Sequence, residues 1–119
     1  MTPHETLFAD IDSMDPDRFA DHLAEQAVMR FGNAEPVHGR AAIRDAWAGF
    51  CASIDGVAHD VVGRWEADDA TIVEANVTYT RRDGGTVTVP VVTIYRPEGG
   101  LIDDYRIFID LAPLFADAG

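Results

Sequence analysis

The chain has 119 residues, 47% of them apolar, and its 21 acidic and 9 basic side chains leave a formal charge of −12. That length suits one domain over residues 1–119, burying roughly two-thirds of its unfolded surface. The acidity opposes binding to nucleic-acid phosphates or anionic membranes, and no apolar run nears the roughly 20 residues that span a bilayer.

In chain order, Thr2-Pro3-His4-Glu5 forms a capping box with proline at the first helical position, so a helix is predicted to about Ile11. MTPHETLFADID lacks the basic start and apolar stretch of a secretion signal, and the single Cys51 has no internal disulfide partner. A cytoplasmic protein is expected. Asp15-Pro16 is a second start signal, and Phe19, Leu23 and Ala27 give a second helix its apolar stripe. Val28 to Phe31 reads as a short strand closed by Gly32-Asn33. After Pro36 and Gly39, RAAIRDAWAGFCASI sets Ile43, Trp47, Phe50 and Ile54 on one helical face.

From Val57 the apolar period becomes two. One strand runs to about Ala67 and turns at Asp68-Asp69; TIVEANVTYTRR then meets Asp83-Gly84-Gly85, a hairpin signal. TVTVPVVTIYR follows, and Pro97 to Gly100 turns the chain into LIDDYRIFIDL. Helices followed by an antiparallel meander define an α+β domain. Both sheet faces are apolar: Val87, Val89 and Val91 point one way, Pro90, Val92 and Ile94 the other. Helices cover only one face, so the convex one is expected to form a homodimer.

This order, with PVHGRAAIRDAW and LIDDYRIFID, resembles the nuclear transport factor 2-like superfamily, in particular its SnoaL-like branch. The resemblance covers almost the whole chain. It implies a cone-shaped, strongly curved antiparallel sheet wrapped by three N-terminal helices, with a pocket on the concave side, a shape shared by enzymes and non-enzymes. Where ketosteroid isomerases carry a tyrosine, a carboxylate base and a protonated acid, the matching positions are Leu7, Phe31 and Val92. Where limonene epoxide hydrolases carry their polar set, the matches are Met29, Phe31, Asn76, Thr78 and Ile107. Polyketide cyclases keep an acid where this chain has Ile107, and dehydratases resembling scytalone dehydratase need histidines on later strands, whereas none follows His59. Those positions therefore lack the groups of the four familiar mechanisms.

Pairing Arg82 with Thr86 and Arg96 with Leu101 predicts three concave rows: Thr78–Pro90–Ile107, Asn76–Val92–Tyr105 and Glu74–Ile94–Asp103. A slip of one residue inverts such a map. On it Tyr105 is a hydrogen-bond donor to a carbonyl or oxyanion, oriented by Asn76, and Glu74 and Asp103 are the candidate acid and base. Arg106, Asp104 and Asp110 fall on the convex face as salt-bridge partners. The remaining ligand-binding set is Thr78, Met29, Phe31, Trp47, Val92 and Ile107, with Leu7 and Ile11 as further walls and His38 at the mouth.

Asp10, Asp12, Asp15 and Asp17 lack the glycine and spaced glutamate of a calcium loop and read as helix-start and solvated-turn acids. His4, His22, His38 and His59 have no metal-ligand spacing, and Cys51 reads as inert packing. No glycine-rich phosphate loop appears, so no cofactor is expected. The expected function is binding of a small apolar or ring-shaped molecule. The alternatives are a cofactor-free isomerase or lyase acting next to a carbonyl, and a structural dimer with a collapsed pocket.

Overall fold

The computed structural model describes residues 3–97 and 100–115. Helices α1 (Pro3–Asp12) and α2 (Pro16–Ala20) precede strands β1 (Leu23–Phe31) and β2 (Val37–His38) and helix α3 (Arg40–Cys51). Strands β3 (Ile54–Ala67), β4 (Ala70–Arg81), β5 (Thr86–Arg96) and β6 (Ile102–Ile109) follow, then the single turn of α4 (Ala112–Phe115). The six strands form one curved, unclosed sheet in the order β2-β1-β6-β5-β4-β3. Its pairs are antiparallel except β1 and β6, which run parallel. The expected α+β cone with N-terminal helices is therefore the fold, and within its open sheet β1 and β6 make a parallel contact that a simple meander lacks.

The start signals act where the sequence places them. Asp15 caps α2, its side chain accepting from the Asp17 N–H at 3.0 Å, with Pro16 in the first turn. Thr2, the expected cap of α1, lies outside the described residues. On α3, Ile43 and Trp47 are buried and Phe50 packs beside them, as the helical period requires. The second helix, however, stops at Ala20, and the strand begins at Leu23. The spacing from Leu23 to Ala27 mimicked a helical stripe because four residues is an even number, so a strand sets both on one face as a helix does; between them, where the register with β6 is irregular, Glu25 stays exposed, and Ala27 and Met29 alternate normally. The two-residue β2 and the four-residue α4 are too short to leave a period of their own.

Two turns decide which side chains face the helices. At the first, Arg81 N–H donates to the Gly85 carbonyl at 2.7 Å and Thr80, not Arg82, pairs with Thr86. This shift of two residues preserves the faces. At the second, Arg96 pairs with Asp104 rather than Leu101, a shift of three, which exchanges them. Thr93 and Tyr95 thus sit opposite Ile107 and Tyr105, and it is Val73, Ala75, Val77 and Tyr79 of β4 that join them in the core. Leu7, Phe8 and Ile11 of α1, Phe19 of α2, and Ile43 and Trp47 of α3 close over that concave surface.

Candidate functional site

The most developed polar arrangement sits where α1 ends against the free edge of the sheet. Among the described residues β3 is the outermost strand, so its outward N–H groups have no strand partner there. Asp12, the last residue of α1, takes one of them: the His59 N–H donates to Asp12 Oδ2 at 2.9 Å. The ring of the same histidine turns to the same carboxylate, with Nδ1 2.6 Å from Oδ1. A carboxylate at a helix C-terminus opposes the helix dipole, and α1 has no basic residue in its last turn, so His59 supplies the compensating donors. The His59 side chain is 9% exposed and Asp12 26%, and Phe8 packs its ring 4.9 Å from the imidazole. Holding Nδ1–H on a carboxylate fixes the tautomer and leaves Nε2 as an acceptor, the arrangement of a general base.

His59 also lines a narrow cavity of about 20 Å³ between the helices and the concave sheet. Ile11 and Phe19 form its helical side with Trp47, while Met29, Phe31, Tyr105 and Ile107 come from β1 and β6, and Tyr79, Val91 and Thr93 from β4 and β5. Burial pushes the Tyr105 phenol far above its ordinary value; the neighbouring Tyr95 adds to this and a hydrogen bond with Thr93 opposes it. Tyr79 is raised by burial first and by the Asp12 carboxylate second. Both phenols stay protonated at neutral pH, which leaves each with an O–H able to donate a hydrogen bond.

Of the residues singled out from sequence, the structure brings Met29, Phe31, Trp47, Tyr105 and Ile107 together around this cavity. It does not bring Glu74, Asn76, Thr78 or Val92 there. The three-residue shift puts them on the convex face, where Glu74 and Asn76 are exposed and the Thr78 hydroxyl lies 2.8 Å from that of Thr88. The proposed orientation of Tyr105 by Asn76 and the Glu74–Asp103 pair are therefore corrected: Asp103 is exposed at the start of β6. His38 is exposed on β2 and does not line the cavity. As expected, Asp104 and Arg106 pair on the convex side, at 3.2 Å, while Asp110 accepts from the Ala112 N–H at 2.9 Å just before α4.

Sequence reasoning missed Asp12, His59, Phe19, Tyr79 and Thr93. Asp12 and Asp10 are not solvated-turn acids: Asp10 pairs with His22 at 2.7 Å and Asp12 with His59. One signal was present, an acid at the wrong end of a helix for its dipole. A larger open groove of about 1,090 Å³ lies on the convex side by Arg30, Arg106, Phe108 and Phe115. It is the roomier hollow, but the histidine that Asp12 holds lines the concave one. No group of three or more potential metal ligands occurs among the described residues.

A family profile for the SnoaL-like domain matches residues 4–105. Among solved structures, a protein of ketosteroid isomerase-like fold from Catenulispora acidiphila DSM 44928, in complex with trimethylamine, superposes with a TM-score of 0.84 at 20% identity, covering 94% of this chain and 89% of that one. A candidate SnoaL-like polyketide cyclase from Jannaschia sp. CCS1 gives 0.79 at 20% identity, covering 96% and 92%. TerC, co-crystallised with polyporic acid, gives 0.79 at 15% identity, covering 93% and 91%. No curated protein matches the sequence.

Proposed function

The chain belongs to the SnoaL-like domain family, and from that premise we propose that it is a cofactor-free isomerase or lyase acting next to a carbonyl. A small, largely apolar molecule enters the concave pocket, His59 removes a proton from carbon, and Asp12 holds the imidazole and balances its charge. Tyr105 keeps the role of a neutral hydrogen-bond donor in the wall. Glu74 and Asp103 have no part in it. One observation carries the reading: the imidazole that Asp12 holds through Nδ1 is also a wall of the pocket.

Small-molecule sites commonly enclose about 300–1,000 Å³, against about 20 Å³ of free interior here. A ring-shaped ligand therefore enters by displacing wall side chains. Met29, an adaptable thioether, is the part that yields. The same small volume favours a second reading, a structural protein whose pocket is filled by its own side chains. Binding without turnover, the reading first expected from sequence, stands between them and is supported by the apolar walls and by fold relatives crystallised with small ligands.

Native mass spectrometry with a mixed panel of ring ketones, lactones and epoxides separates the three. A retained compound that rearranges, exchanges a proton or loses a small molecule supports the enzyme. Retention of an unaltered compound supports the binder, and no retention supports the filled pocket. We also propose a homodimer through the convex face, where Trp65, Ile72, Ile94, Val92 and Phe108 form a band across neighbouring strands. Trp65 and Phe108 are each 53% exposed there. No helix among the described residues is long and apolar enough to cross a membrane; the single cysteine supports a cytoplasmic setting.

A further inference from the structure

One polar atom in a cavity-lining side chain has no role in the His59–Asp12 pair. Trp47 Nε1 is shielded from solvent and has no hydrogen-bond partner among the described residues, in a residue only 5% exposed. An indole N–H is a donor with no acceptor capacity, so only an acceptor can satisfy it. Buried donors left bare are rare in folded proteins and call for an explanation. The indole is also held in place: it stacks on Phe50 at 5.4 Å and meets the edge of Phe19 at 6.0 Å. Trp47 and His59 line the same cavity, so the residue with the bare donor and the residue with the base share one small space.

Building on the reading of His59 as the base, we propose that Trp47 Nε1–H binds the carbonyl oxygen of the substrate and so selects small planar rings with an acidic C–H beside a carbonyl. His59 Nε2 takes that proton. The C–H electron pair becomes the C=C bond of an enolate, and the carbonyl π pair moves onto oxygen. The hydrogen bond from Trp47 strengthens as charge collects there, while the indole keeps its own proton. Return of the proton from His59 to the same carbon gives exchange, and return to a conjugated carbon gives isomerisation. No oxidant, reductant or further reactant is needed.

The test uses 4-nitrophenolate, a planar oxyanion, as the probe. Protein carrying nitrogen-15 in its indoles has two Nε1–H signals, from Trp47 and the exposed Trp65, told apart with the Trp65→Phe variant. On titration the Trp47 signal is expected to move downfield while that of Trp65 stays, and Trp47→Phe is expected to weaken binding about tenfold to a hundredfold. A probe that shifts the His59 ring signals while leaving Trp47 unmoved overturns the role of Trp47 and leaves the pocket reading standing. A probe that moves neither overturns both. The indole signal is read in the protein with Trp47 intact, so a failure of Trp47→Phe to fold does not decide the outcome.

Discussion

Asp12 and His59, 47 residues apart in the chain, are joined by two hydrogen bonds through one carboxylate, at 2.9 Å from the backbone N–H and 2.6 Å from the ring. The first ties the end of α1 to the sheet edge, and the second sets the imidazole. In the proposed mechanism one residue therefore serves both the fold and the chemistry, and substitutions can separate the two.

Asp12→Asn keeps a side-chain oxygen for the backbone N–H but loses the charge that steadies an imidazolium. Catalysed proton transfer is expected to fall by about a hundredfold or more, with little loss of stability. Asp12→Ala also strands the partly buried N–H and is expected to lower unfolding free energy by about 1–3 kcal/mol. Urea unfolding of both variants beside the wild type checks the division. Equal destabilisation by both would contradict it.

Glu74→Gln, Asn76→Ala and Asp103→Asn alter exposed residues outside the concave pocket. Each is expected to change activity less than about twofold and stability within about 0.5 kcal/mol. A large loss of turnover in any of them would restore the rejected register.

Cys51, Tyr79 and Tyr105 are all held above their ordinary values by burial, Cys51 to about 11. A raised folded-state value means the folded protein keeps its proton while the unfolded chain gives it up. The associated stability is fully present below the ordinary 9.0 of a thiol and 10.0 of a phenol, and is lost as pH climbs through the folded values. The urea midpoint should hold from neutral pH to about 9 and then fall, with Cys51 alone accounting for about 1–3 kcal/mol. Its thiol should also react slowly with aromatic disulfides until the protein unfolds. A midpoint that rises with alkaline pH would contradict the sign.

The convex band centred on Phe108 and Trp65 is expected to hold two copies together. Light scattering over a wide dilution range should give the mass of a dimer, and Phe108→Asp should give a monomer. A wild-type monomer at every concentration would end that proposal.

Much of the fold was legible because it is local. The stripe from Ile43 to Trp47 and the alternation of Tyr105 and Ile107 each depend only on near neighbours, and both point inward as read. The start of β1 was misread because Leu23 and Ala27, four residues apart, share a face in a strand as well as in a helix, and the exposed Glu25 between them breaks the alternation that would have told the two apart. The faces of β4 and β5 were exchanged because seven residues, not four, separate the paired Arg96 and Asp104. Period-two patterns on two apolar faces hold no information about that number. His59 was passed over because its partner lies on another element, and only the packing of α1 against β3 brings them together.

The central claim is that His59 removes protons from carbon in the concave pocket. Its most direct test is deuterium uptake beside the carbonyl of small ring ketones in heavy water, followed by NMR with wild type and with folded His59→Gln. The expected result is uptake well above buffer with wild type and a loss of about a hundredfold to ten-thousandfold in the variant. Uptake as fast with His59→Gln as with wild type, or no faster with wild type than in buffer, would contradict the claim.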